Sequence, residues 1–313
     1  KDLALARQLV KDRDFEMLEM AFGSPSFVLS QLIRTAFIPS EGCRFIIADY
    51  SAIEARVLAW LAGEKWVLEE FAGDGLIYEA TAAMMFHAEK NDIKKGGPKP
   101  DLRSKGKVAT LACGYQGSVG ALINMGALKS GIPEDELPGI VKRWREANSH
   151  IVRFWYDVEN AAIDAVQGQP STLAHGIHFE CEAGYLFITL PSGRKLAYFQ
   201  PELRPEPQYD KVGLTYMGKG QSGKYTRQKT YGGKLVENIT QATARDCLRD
   251  AMTALDAAGY RVVFHVHDEL IADMPFGKGS LAEMCEIMGR PLPWAPGLPL
   301  RAEGDELPFY MKT

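Results

Sequence analysis

RVVFHVHDELIADM, residues 261–274, decides how this chain is read. Most of it has the β-branched, apolar composition of a buried strand. Three titratable groups, His267, Asp268 and Glu269, interrupt it near the centre. In one continuous strand Asp268 would share a face with Val262, Phe264 and Val266, because side chains alternate. Burying a carboxylate in that apolar layer is costly unless it is paired or binds metal. A chain reversal near Asp268 removes the conflict: two strands pair as a hairpin and lift Asp268 to the tip. Ordinary hairpin tips use Asn-Gly or Asp-Gly. His-Asp-Glu departs from that chemistry, and such departures mark functional sites. An exposed acidic turn with no further role is the competing reading.

A second carboxylate has the same setting. Asp49 ends the apolar run of RFIIADYS (44–51) and precedes a helical pattern, SAIEARVLAWLAGE, with Ile53, Val57, Leu58 and Leu61 at helical spacing. Ser51 and Glu54 have capping-box spacing, and Gly63 is the expected stop. Two acids at the ends of two core strands would repel unless protons or a divalent cation balanced them. Oxygen-only ligands suit Mg²⁺, which takes further ligands from substrate phosphates. Two such ions about 4 Å apart would stabilise the attacking and leaving oxygens of a phosphoryl transfer.

Beyond these strands, residues 65–130 and 135–167 read as helices. Residues 171–231 change character, and HFECEAGYLFITLPSGRKLAYF reads as a β-hairpin turning at Pro-Ser-Gly. A long amphipathic helix over 232–260 follows, and the tail after the opening stretch gives a helix, a Pro-rich loop and a short strand. Strands and helices do not alternate regularly, so the expected class is α+β with an antiparallel sheet.

The 313 residues, 46% of them hydrophobic, suffice for one large domain or two. No run approaches eighteen apolar residues, so no membrane association is expected. The first residues carry charge throughout and resemble the inside of a longer chain rather than a signal peptide. Five unpaired cysteines without metal-ligand spacing point to a reduced, cytoplasmic setting. The net charge of -4 does not by itself announce a polyanion partner. Two local stretches do better: residues 94–107 hold six basic residues and one acid, and residues 219–234 hold five basic residues, no acid and two tyrosines. Both are read either as solvated loops or as phosphate contacts with tyrosines for stacking. Within the first, Arg103, Lys107, Leu111 and Tyr115 recur every four residues, on one helical stripe. Like charges at that spacing repel, and an anionic partner such as a triphosphate would turn the cost into attraction.

These three motifs, in this order, resemble those of the family A DNA polymerases, the DNA polymerase I type. ADYSAIEARVLAWLAGE resembles motif A, Arg103 to Tyr115 resembles motif B, and VHDEL resembles motif C. IRTAFIPSEG, IYEATAAMMF and the QATARD of residues 241–246 resemble the flanking segments, so the likeness runs from about Leu32 to the C-terminus. The resemblance implies a right-hand architecture: palm over 1–64 and 232–313, mainly helical fingers over 65–231, with thumb and exonuclease domains absent. It implies DNA-directed DNA polymerase activity on primer–template DNA and dNTPs, by a monomer, with two Mg²⁺ ions for which Mn²⁺ can substitute. Asp49 and Asp268 would hold the metals with the Tyr50 backbone carbonyl, and Glu269 would support them. Glu54 would exclude a ribose 2′-OH; Arg103 and Lys107 would bind the triphosphate, with Lys107 also serving catalysis. Leu111 and Tyr115 would shape the insertion site, Arg34 would add a phosphate contact, and His267 and Gln241 would lie against DNA.

The chain departs from the family pattern at several positions. Leu111 replaces Phe or Tyr, Gln116 replaces Gly, Ala52 stands where Gln is frequent, and Glu237 replaces Asn. These changes suggest a divergent, phage-like branch. The alternative reading is a nucleotide- or DNA-binding fragment without catalysis, since no thumb accompanies the palm. A two-metal nuclease would leave the basic helix unused. A P-loop at 218–225 lacks the Ser/Thr and the following helix that such a loop needs.

Overall fold

The chain opens with three short helices, α1 (Leu3–Asp12), α2 (Phe15–Phe22) and α3 (Pro25–Leu32), followed by strand β1 (Cys43–Tyr50). This computed structural model describes residues 2–94, 96–206, 211–220 and 222–311. Eight helices follow β1: α4 (Ile53–Ala62), α5 (Lys65–Ala72), α6 (Ile77–Phe86), α7 (Lys90–Ile93), α8 (Asp101–Cys113), α9 (Val119–Asn124), α10 (Leu137–Ala147) and α11 (Ser149–Val166). Six strands come next: β2 (Ser171–Thr172), β3 (His178–Glu182), β4 (Tyr185–Thr189), β5 (Lys195–Glu206), β6 (Lys211–Lys219) and β7 (Tyr225–Thr230). The long helix α12 (Gly232–Ala257), strands β8 (Val262–Val266) and β9 (Glu269–Pro275), helix α13 (Leu281–Met288) and strand β10 (Ala302–Leu307) complete the chain. The class is α+β, and both sheets are antiparallel. Among the described residues no helix is long and apolar enough to cross a membrane.

Two compact units form: residues 1–51, 248–290 and 301–313 make the first, and residues 52–247 with 291–300 make the second. In the first, the strand order is β10-β1-β9-β8. The hairpin expected over 261–274 is β8 and β9, with Val266 paired to Glu269 and only His267 and Asp268 between them. Arg261 and Asp273 of the same stretch pair at 2.7 Å and close the hairpin's open end. Its buried acid is thereby accounted for: Asp273 also accepts from the Ser40 hydroxyl at 2.6 Å. One face of the sheet buries Phe45, Ile47, Ile271 and Tyr310, with Phe264, Val266 and Leu307 against them. Each such side chain contributes about 1.5–3 kcal/mol on burial. That packing fixes the β1–β9 register, in which Ile47 meets Ile271 and Asp49 meets Glu269. A one-residue slip would turn every side chain to the wrong face. On the opposite face the Tyr50 hydroxyl donates to the Met288 carbonyl of α13 at 2.9 Å. The three N-terminal helices bury Leu18 among Ala6, Leu9, Val28 and Leu32.

In the second unit the sheet order follows the chain, β2 to β7. The hairpin expected around Pro-Ser-Gly is β4 and β5, with Gly193 at φ 83 in its turn. Buried Asp246 of α12 holds that turn through Ser192 and Arg194, both at 2.6 Å. The sheet continues past this hairpin into β6 and β7, and β7 occupies part of the 219–234 stretch read as a solvated loop or a phosphate contact. Of the phosphate-loop spacing at 218–225, Gly218 and Lys219 end β6 and Tyr225 begins β7, so a strand rather than a helix follows it; Gln221 lies outside the described residues. Helices α6 and α8 touch at backbone level. A Cβ on Gly106 would stand 2.1 Å from the Tyr78 carbonyl oxygen and 2.9 Å from Ala82 Cβ.

Candidate active site

The first unit gathers acids at one end of its sheet. Asp49 pairs across β1–β9 with Glu269 and across β1–β10 with Glu303. Directly opposed residues share a face with Cα atoms about 4.5–5.5 Å apart, so Glu303, Asp49 and Glu269 form one row. Asp268 joins at the turn, where its carbonyl accepts from the Tyr50 N–H at 3.3 Å. Like charges so placed repel. Glu269 is buried and accepts from the Tyr310 hydroxyl at 2.6 Å. Burial, reinforced by Glu269, pushes the Tyr310 phenol up to about 12, so it remains a donor. Arg34, on the 3-10 turn Ile33–Ala36, has its guanidinium 5.9 Å from the Tyr310 ring centroid. The Tyr50 ring is buried beside α13.

The turn itself is strained. His267 has φ 54, in the left-handed region that costs a non-glycine residue roughly 1–2 kcal/mol. Glycine is the usual occupant at such a first loop position. The imidazole is exposed, Asp268 is half-buried and Glu269 is buried, so the three residues enter three different environments within one turn.

In the second unit the expected capping box does not form. Helix α4 begins after Ala52, itself at φ 52, with no side-chain cap. The Ser51 N–H donates to the Arg301 carbonyl at 2.9 Å. The Glu54 carboxylate instead accepts from the Tyr115 hydroxyl at 2.7 Å and from the Gln241 amide at 3.5 Å. Burial, and then the Glu54 charge, push the Tyr115 phenol far above its ordinary value. The helical stop at Gly63 is as expected, with φ 69 and its N–H on Trp60 and Ala59 carbonyls.

Helix α8 carries Arg103, Lys107 and Leu111, but it ends at Cys113, so Tyr115 lies beyond the expected stripe. The chain turns because Gln116 takes φ 64, the glycine-favouring region. Its side-chain oxygen accepts from the Gly233 N–H at 2.9 Å, an anchor that a glycine could not provide. Gly233 in turn approaches so closely that a Cβ there would stand 2.4 Å from the Tyr115 carbonyl oxygen. Leu111 is exposed, as is Lys107. Arg103 donates from Nε to Glu79 at 2.6 Å. Glu237 pairs with Lys234 at 2.9 Å.

Several residues escaped the sequence reading. Glu303 sits in a polar tail, Tyr310 in the final residues, and Glu79 in a helix whose buried side is set by α8. The only local signal was Glu79 itself, a single acid within the otherwise apolar IYEATAAMMF. Among the described residues no three His, Cys, Asp or Glu side chains converge into a preformed metal cage. An oxygen-only row with Asp49 in a strand and Asp268 on the adjoining turn fits a hard divalent cation that keeps waters and draws its other ligands from phosphates.

The fold is that of a polymerase domain. It matches the POL domain of Pol1 from M. smegmatis, solved in complex with DNA primer-template and dNTP, at a TM-score of 0.59 and 21% identity over 89% of this chain and 42% of that one. The model of DNA polymerase family A matches residues 28–175. A DNA polymerase of Bacillus phage SP02 is 57% identical over all 313 residues, and DNA polymerase I of Bacillus subtilis is 30% identical over 251. Over residues 28–175, a little under half of its length, the chain is similar to DNA polymerase family A. It spans 48% of the phage polymerase and 23% of the B. subtilis enzyme.

Proposed function

We propose that this chain carries template-directed DNA polymerase chemistry, transferring a nucleotidyl group from a dNTP to a primer 3′-OH. The observation that carries the reading is the acidic row at the joined ends of β1 and β9, completed by Asp268 on a strained two-residue turn. A bound pair of Mg²⁺ ions, or Mn²⁺ in their place, would supply Lewis acidity to the reacting oxygens. Asp49 and Asp268 would hold them with the Tyr50 carbonyl, while Glu269, fixed by Tyr310, would sit beside them in support. In the second unit, Lys107 and Arg103 would meet the triphosphate. Glu54, held by Tyr115 and Gln241, would crowd a ribose 2′-OH. Leu111 and Tyr115 would line the insertion site, and His267, Gln241 and Arg34 would meet DNA. The palm would comprise 1–64 and 232–313, and the fingers 65–231. The protein would act as a monomer in the cytoplasm, in keeping with its five free cysteines.

Primer extension with Mg²⁺ tests this, using the chain, a longer parent polymerase that contains it and the parent with Asp268→Asn. The parent is expected to extend primers and the Asn variant to lose at least a hundredfold in rate. An Asn variant as active as the parent would refute the metal assignment. Extension by the parent alone would make this chain a nucleotide-binding portion of the enzyme.

A further inference from the structure

Arg103 and Glu79 are an unequal pair. The Glu79 side chain is 5% exposed, whereas that of Arg103 is 44% exposed. The Arg194–Asp246 and Arg261–Asp273 pairs share that asymmetry, so the surroundings of Arg103 decide what its exposed nitrogens can do. The guanidinium offers five donors in a planar fork. Glu79 takes the Nε–H at 2.6 Å. Such a contact fixes the plane of the fork and with it the direction of the terminal nitrogens.

The surroundings point the same way. The Arg103 Cζ is 5.5 Å and the Lys107 Nζ 5.8 Å from the centroid of the Tyr78 ring. Two like charges one turn apart are thus collected over a single aromatic ring, which is favourable when an anion joins them. Gly106, between them on α8, lets the Tyr78 carbonyl approach closely enough to set Tyr78 and Glu79 beside these cations. An unanchored arginine would lose rotamer freedom on meeting phosphate; a buried carboxylate removes much of that loss beforehand.

We propose that Glu79 is a positioning residue which orients the Arg103 guanidinium to receive the triphosphate of an incoming nucleotide. The proposal rests on the reading above that Arg103 and Lys107 bind that triphosphate. Its test measures equilibrium binding of dATP and of inorganic triphosphate to the whole chain, wild type, Glu79→Ala, Glu79→Gln and Arg103→Ala. Thermal melting checks that each variant folds. Glu79→Ala is expected to weaken binding of both probes about tenfold, the loss of one oriented charge-assisted hydrogen bond. Glu79→Gln, whose amide oxygen still accepts from Nε, is expected to keep most of the affinity. In the longer parent, the alanine variant should raise KM for dNTP about tenfold and change kcat little. Unchanged binding by a folded Glu79→Ala chain overturns the proposal and leaves the polymerase reading standing. Tighter binding by both variants also overturns it, making Glu79 a competitor for Arg103. A wild-type chain that binds neither probe overturns both this proposal and the assignment of Arg103 and Lys107.

Discussion

Replacing Gly106 with Ala sets two expectations against each other. On an isolated helix Ala is favoured over Gly by about 1 kcal/mol. In this fold the new Cβ would stand 2.1 Å from the Tyr78 carbonyl oxygen, 2.9 Å from Ala82 Cβ and 3.0 Å from the Ala82 nitrogen. Two of these atoms are backbone, so no rotamer change relieves the contact. The helices α6 and α8 must separate by roughly 1 Å to reach ordinary van der Waals distance. Overpacking of this kind costs about 1–3 kcal/mol, and a backbone clash belongs at the upper end. The net expectation is a loss of about 2 kcal/mol, or roughly 4–8 °C in Tm for a unit of this size. Urea denaturation and thermal melting of the purified variant measure it. The same separation would draw Glu79 away from Arg103, so dNTP binding should weaken in parallel. A variant as stable as the parent, or more stable, would show that α6 and α8 are not in backbone contact and that helix propensity alone rules the position.

Tyr115→Phe removes the 2.7 Å donor to Glu54; ribonucleotide incorporation by the longer parent should rise several-fold, and unchanged sugar selectivity would count against Glu54 as the excluding group. Tyr310→Phe leaves the buried Glu269 carboxylate without its 2.6 Å donor and should destabilise the first unit by about 1–3 kcal/mol in denaturant titration. Arg44, bonded to Glu306 at 2.5 Å, holds that carboxyl below its ordinary value. A depressed native pKa contributes stability that is full above the unfolded value, near pH 4.3, and is lost as pH falls through the native one. Glu306→Gln should therefore flatten the acid limb of the stability profile while leaving a smaller slope from other carboxylates. Gln116→Gly keeps the permitted φ but loses the 2.9 Å bond to Gly233; a modest drop in stability is expected, and an increase would show that the backbone strain outweighs the anchor.

How far the chain could be read before folding depended on whether a residue's role was local. The hairpin at His267-Asp268 was legible because apolar arms on either side leave a carboxylate with nowhere to go but the tip. Asp49 was legible as the polar residue that ends an apolar run, and it lies next to the last residue of β1. The capping box failed although its spacing was correct. The Ser51 amide is taken by Arg301 and the Glu54 carboxylate by Tyr115, both distant in sequence, and no local rule counts such competitors. The stripe through Tyr115 failed because periodicity carries no stop signal when the terminating residue is a glutamine at positive φ. Strand β7 lacks the apolar alternation that betrays a strand, because it is an edge rich in lysine, arginine, glutamine and threonine. Polar edges of that kind discourage pairing with other chains. Glu79 escaped the sequence reading because the closeness of α6 and α8 is decided by a glycine on the other helix.

The contact of Glu54 with Gln241 joins residues 187 positions apart, near the two points where the chain enters and leaves the body of the second unit. That has a consequence for the order of assembly. Strands β1 and β9 are separated in sequence by almost all of the second unit, and closing a loop of that length in an unfolded chain is slow and entropically unfavourable, by about 0.6 kcal/mol for each doubling. Once the second unit is folded, its own contacts have already brought the ends of that loop together. The acidic row should then appear last on the folding pathway, after a scaffold that can form without it. In pulse-labelled hydrogen exchange, amides of α4, α8 and the first turns of α12 should gain protection before those of β1 and β9.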